Sequence, residues 1–180
     1  MKIYISVFTL GLLFLISCQD LKKEKQLSKI ESLKKTNDSI RSVFHKNKID
    51  TLNRIIFKVR EVEFRIKHNY MSDTIDKKMA DKINEYKTVR KKLKNTGKYY
   101  NQLEKGTKEE SESLKKLKQD IESGAGEINK YDEYISFEKN KVNQLQLILK
   151  DFSSTQTEAL VSFKKLHEEL LSFSLSMLKK

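Results

Sequence analysis

The sequence predicts an all-α chain of long amphipathic helices packed as a bundle. Three observations carry this. Proline is absent and glycine occurs five times in 180 residues, and these two residues most disfavour a helix interior. Apolar residues recur in alternating steps of three and four, the spacing of one helix face. Hydrophobic residues make up 37% of the chain against 34% charged, enough for a narrow core under a solvated surface. A disordered chain could be as charged, but it would lack the regular spacing.

The first stripe runs through Ile30, Leu33, Ile40 and Phe44, with Asn37 in the place between. It resumes as Ile49, Leu52, Ile56, Val59, Ile66 and Tyr70, with Glu63 in register. The phase slips across His45-Lys46-Asn47-Lys48, so residues 21–70 read as one helical arm with a stutter or kink there. Ser72-Asp73, with Asp76 three residues on, offers the next helix start. Ile75, Met79, Ile83, Tyr86, Val89 and Leu93 continue the pattern to Asn95-Thr96-Gly97. Tyr99, Tyr100 and Leu103 follow, and Gly106-Thr107 with Glu110 reads as a glycine stop and a capping box.

Leu114, Leu117 and Ile121 lead to Ser123-Gly124-Ala125-Gly126, the clearest turn in the chain. The last third holds the strongest heptad: Ile128, Tyr131, Ile135, Glu138, Val142, Leu145, Leu149 and Phe152. After Ser153-Ser154, Thr155 and Glu158 suggest another capping box. Ala159, Phe163, Leu166, Leu170, Phe173 and Met177 carry the stripe onward.

Turns near 71 and 125 thus divide the chain into arms of about 21–70, 72–123 and 127–179, each weakened near its middle. Folded antiparallel, those weak points fall at nearly the same height. The favoured architecture is an elongated antiparallel three-helix bundle or coiled coil with mid-arm breaks. At about 1.5 Å per residue, each arm of roughly fifty residues reaches about 75 Å. A compact five-helix bundle, folded over at the weak points, is the competing form.

The N-terminus carries a different signal. Lys2 precedes an apolar body from Ile3 to Ile16, the length of a signal-peptide core and short of the roughly 20 residues a spanning helix needs. It ends in Leu15-Ile16-Ser17-Cys18, and Cys18 is the sole cysteine of the sequence. This segment resembles the leader of bacterial lipoprotein precursors, whose lipobox sets an aliphatic residue and two smaller positions before the modified cysteine. The resemblance covers about the first twenty residues. It implies that Cys18 takes a diacylglyceryl thioether and, after cleavage, a further chain such as palmitate on its new N-terminus. Two or more chains hold a protein stably where one does not.

The resemblance therefore makes residues 1–17 a signal peptide and 18–24 the lipidated cysteine with a short tether, and the apolar spacing makes 25–180 a single helical domain. It places the protein in the cell envelope, held to a bacterial membrane by lipid at Cys18, with the outer membrane favoured. An uncleaved anchor helix is the blander reading.

Catalytic chemistry is hard to find in this sequence. His45, His68 and His167 lie far apart, none at a spacing that sets two metal ligands on one helix face, and each reads as a helix-surface residue. Gly124-Ala125-Gly126 follows a helix and lacks the strand and third glycine of a dinucleotide loop. Glu63 and Glu138 occupy core-stripe positions and are the carboxylates of interest, most simply as polar residues that set register or as carboxylates reaching solvent or a lysine. The expectation is a non-enzymatic chain with no cofactor and no metal.

A net charge of +12 raises nucleic acid as a partner, and Arg90-Lys91-Lys92-Leu93-Lys94 could grip phosphates. A solvated helix face explains that run more simply, and an exported location argues against nucleic acid. Tyr99, Tyr100, Tyr131 and Tyr134 read as core and rim packing in preference to a ligand-stacking patch. Leu171, Phe173, Leu175, Met177 and Leu178 make the last helix apolar on more than one face, so it either has extra core around it or offers a candidate surface to an envelope protein partner or a second copy.

Asp38-Ser39-Ile40, Asp50-Thr51-Leu52 and Asp73-Thr74-Ile75 resemble the O-glycosylation acceptor of one group of diderm bacteria, which would make Ser39, Thr51 and Thr74 acceptors. Helix starts use the same residue pairs. The functions that fit are a lipid-anchored binding, spacer or adaptor module, then a chaperone-like or solute-binding helical module, and last a metal enzyme hidden in a bundle.

Overall fold

The computed structural model describes residues 2–46, 49–71 and 76–179, with side chains described from Asp20 to Leu178 within those ranges. The described residues form four α-helices: α1 (Lys2–Lys46), α2 (Ile49–Asn69), α3 (Lys77–Ser123) and α4 (Tyr131–Ser176). Short 3-10 turns at Ile128–Lys130 and Met177–Lys179 flank α4. The chain is all-α and packs as a helical bundle, as the apolar spacing predicts.

Helix ends follow local chemistry. At the start of α3, Asp76 Oδ2 accepts the Met79 N–H at 3.3 Å, so Asp76 fills the N-cap role; Ser72–Ile75 lie outside the described residues. At its end, Gly124 takes φ +71° and the Ala125 N–H reaches the Asp120 carbonyl at 2.9 Å. That six-to-one bond around a left-handed residue is a Schellman stop. Tyr131 fastens the turn, its hydroxyl lying 2.8 Å from the Asp120 carbonyl and 2.6 Å from that of Ala125.

The chain divides into two compact units: residues 1–41 with 105–145, and residues 42–104 with 146–180. In the first, α1 meets α3 and α4 over Ile30, Ile40, Leu114, Ile121, Ile135 and Val142, all buried. Lys22 and Lys29 of α1 pair with Asp132, and Lys118 of α3 pairs with Glu31. In the second, α2, α3 and α4 close over Leu52, Val59, Val62, Tyr86, Val89, Leu93, Ala159 and Leu166. Lys82–Glu169, Lys92–Glu158 and Lys165–Glu85 pairs join α3 to α4 along its rim.

Two expected breaks are absent. Helix α3 runs unbroken through Asn95-Thr96-Gly97 and Gly106-Thr107, and α4 runs unbroken through Ser153-Ser154. Thr96 is buried within the helix, its hydroxyl satisfied by donating to the Leu93 carbonyl at 2.5 Å. The Thr107–Glu110 pair is no cap, because both residues are buried within α3. Glu158 caps nothing either: it accepts from Ser154 and from Lys92. The unit boundaries nonetheless fall near these positions in sequence. The phase slip expected across His45-Lys46-Asn47-Lys48 falls on Asn47 and Lys48, which lie outside the described residues. Ile128, placed in the core heptad by its spacing, is 59% exposed, since the turn carries it away from α4's buried face.

Candidate functional site

In the first unit, the most unusual chemistry surrounds Glu110. Gly106 lets α4 come close: a Cβ at that position would fall 2.6 Å from Leu145 Cδ2. One turn further along α3, the Glu110 side chain is only 1% exposed. Lys141 of α4 sets its ammonium 2.8 Å from Glu110 Oε2 and 2.5 Å from Glu138 Oε2, and lies over the Phe137 ring at 5.5 Å. Burial, with the Glu138 charge adding to it, lifts the Glu110 carboxyl to about 7 against the pull of Lys141.

A carboxyl near 7 could exchange a proton at neutral pH. The Glu110 carboxyl itself is closed off from the surface. The nearby depression of about 200 Å³ is lined by Leu117, Asp120, Tyr134, Phe137 and Glu138, and Glu110 does not line it. Close by on α3, the Thr107 carbonyl accepts from Asn37 of α1 at 2.8 Å, while the Asn37 oxygen stays buried without a hydrogen bond. Asn37, Thr107, Glu110 and Lys141 therefore serve as a polar core that aligns three helices.

In the second unit, His167 is 8% exposed, contrary to the expectation that every histidine lies on a helix surface. Its Nδ1 sits 2.6 Å from the Tyr86 hydroxyl, and its ring stacks on Phe163 at 4.4 Å. Burial holds the imidazole below its usual range and pushes the Tyr86 phenol up. His45 and His68 are exposed, His45 lying 3.4 Å from both the Tyr100 hydroxyl and a Glu104 oxygen. Among the described residues no three His, Cys, Asp or Glu side chains gather as metal ligands would. Glu63 reaches Arg90 at 2.7 Å, an α2–α3 tie.

Of the residues singled out by the sequence, the side chains of Leu15, Ile16, Ser17 and Cys18 lie outside the described ones, as does Thr74. Ser39 is exposed on α1. Thr51 is half-buried, its hydroxyl 3.3 Å from Arg54. The C-terminal stripe divides: Leu171, Phe173 and Met177 pack against the second unit's core, while Leu175 and Leu178 are 42% and 56% exposed.

Two surfaces escaped the sequence reading. In the first unit a cleft of about 650 Å³ opens between α1 and the α3–α4 turn, lined among others by Lys22, Lys23, Gln26, Ile121, Ile128 and Tyr131. In the second, Phe57 and Phe64 of α2 are 68% and 62% exposed. Their seven-residue separation was the available signal, hidden because it lies off the stripe that forms the core.

No protein-family model, curated protein or solved structure matches the chain. Among the described residues, no helix is long and apolar enough to cross a membrane.

Proposed function

We propose that this chain is a lipid-anchored helical protein of the bacterial cell envelope, working as a binding, spacer or adaptor module without catalysis of its own. The observation that carries the reading is Leu15-Ile16-Ser17-Cys18 at the end of a short apolar leader opened by Lys2. The helical body supports it. Its buried polar groups sit between helices and tie them together, as Lys141 does for Glu110 and Glu138. Acyl chains at Cys18 hold one end at the membrane, and the helices carry a partner surface away from it.

The elongated three-arm arrangement belongs to this proposal, since a spacer needs reach. Small-angle scattering tests it: a rod of about 75 Å gives a radius of gyration above roughly 20 Å, against about 15 Å for a compact domain of this length.

Mass spectrometry of the protein from native membranes tests the anchor. The expected N-terminal peptide begins at Cys18 and carries acyl chains, and Cys18→Ser leaves the protein in the soluble fraction. A natural product that keeps Met1, or that has a free thiol at Cys18, overturns the anchored reading.

A further inference from the structure

Helix α2 has two apolar faces. One closes the core through Leu52, Val59, Val62 and Ile66. At 100° per residue, Phe57 and Phe64 lie nearly opposite that face, one above the other about 10 Å apart along the axis. Single exposed hydrophobic residues are ordinary on protein surfaces. Two phenylalanines two turns apart, with the His68 ring tilted against Phe64 at 3.9 Å, make a ridge along one face.

The flanks of the ridge are basic. Arg54, Arg60 and Lys67 are exposed, and Arg60 and Lys67 sit three residues after Phe57 and Phe64. Glu61, the acid beside the ridge, is already paired with Arg65 at 2.7 Å. Asp50, seven residues before Phe57, is an exposed acid on the same face at the N-terminal end of the ridge, away from Arg60 and Lys67. In heptad terms the phenylalanines hold one seam position, and Arg60 and Lys67 hold the position where a second apolar residue would complete a coiled coil. A second copy of this face would set cation against cation. A helix with aliphatic residues three and four apart and acids beside them would cover the rings and neutralise the charges.

We propose that the outer face of α2, built on Phe57 and Phe64 and flanked by Arg54, Arg60 and Lys67, binds an acidic amphipathic helix of a partner protein. This names the partner chemistry for the binding module proposed above, and it does not require the anchor. The rings bury against the aliphatic side of the incoming helix, and its carboxylates face Arg60 and Lys67. Glu61 stays with Arg65.

Photocrosslinking in native cells tests it, with p-benzoylphenylalanine replacing exposed Asn53 of the full chain and a control at exposed Lys150. The expected adduct forms at position 53 only, and peptide mapping places it on an acidic segment with helical apolar spacing. It falls at least tenfold in Phe57→Ser/Phe64→Ser and in Arg60→Glu/Lys67→Glu, with helix content by circular dichroism unchanged. The second variant keeps the test valid if the first loses helicity. An adduct to lipid, to another copy of this chain or to a neutral or basic segment overturns the proposal. So does yield no greater than at Lys150, or yield that survives the charge reversal. Loss of acylation at Cys18 would instead overturn the anchor, so the two failures are distinguishable.

Discussion

Leu145 of α4 lies so close over Gly106 of α3 that an added Cβ would sit 2.6 Å from its Cδ2, while Gly97 in the same helix has nothing within 4 Å of that position. Both glycines sit in a helix interior, where alanine is favoured by about 1 kcal/mol. Gly97→Ala is therefore expected to raise stability by about 0.5–1 kcal/mol. Gly106→Ala forces buried Leu145 from its rotamer at about 0.5–1.5 kcal/mol, which cancels the gain. Urea unfolding of the two variants checks the contrast, and equal stabilisation would show that Leu145 moves freely.

Glu110 makes the first unit sensitive to pH in an identifiable direction. Its carboxyl titrates near 7 when folded, against an ordinary value of 4.5. As pH rises between those values, the unfolded chain loses its proton first and the folded state loses stability relative to it. The contribution is fully present below about 4.5 and is lost as pH rises through the folded value. Glu110→Gln cannot ionise, so its stability relative to the parent is expected to improve between pH 5 and pH 8. Parallel denaturant curves at the two pH values measure this, and an unchanged difference would refute it.

His167 works in the opposite sense in the second unit. Burial, with Lys58 and Arg65 adding to it and Glu168 opposing, holds its folded value below the ordinary 6.5. As pH falls below about 6.5, the unfolded state takes up a proton that the folded state resists. Stability is present above that value and is lost as pH drops toward the folded one. His167→Gln, which can still reach the Tyr86 hydroxyl, is expected to lose this acid sensitivity. Hydrogen exchange at Val89, in the same core, at pH 5 and pH 7 reads the difference; identical acid responses in parent and variant would disprove it.

How far the sequence speaks for the structure depends on the range of the interaction. Apolar spacing located α2, α3 and α4 because burial repeats with the helix period, and Gly124 declared its turn because only a local left-handed residue was needed. Gly106, Thr107 and Glu110 misled because a helix stop and a polar helix interface use the same residue types. What separates them is Leu145 and Lys141, more than thirty residues away. His167 was misplaced for the same reason, its partner Tyr86 lying 81 residues earlier. Phe57 and Phe64 were passed over because one stripe already accounted for α2, and a second apolar face adds nothing to a one-core pattern. Leu171 is the converse: its place off the main stripe left a surface or extra core equally open, and packing takes it into the core beside Phe173 and Met177, which the stripe already included.

Glu63 and Arg90 offer a final test of what the buried polar residues contribute. The Glu63 side chain is 14% exposed and Arg90's 32%, and Glu63 Oε1 is buried without a hydrogen-bond partner. Arg90→Ala leaves a carboxylate facing the α2–α3 interface with its countercharge gone, at a cost of about 1–3 kcal/mol, toward the lower end because water reaches the arginine side. Replacing both residues, Glu63→Leu with Arg90→Leu, removes the charge together with its partner, and such exchanges are often neutral or stabilising. The double variant is therefore expected to be more stable than Arg90→Ala alone in urea unfolding. The reverse order would mean that the pair contributes net stability through its geometry, as a well-formed charge-assisted hydrogen bond can.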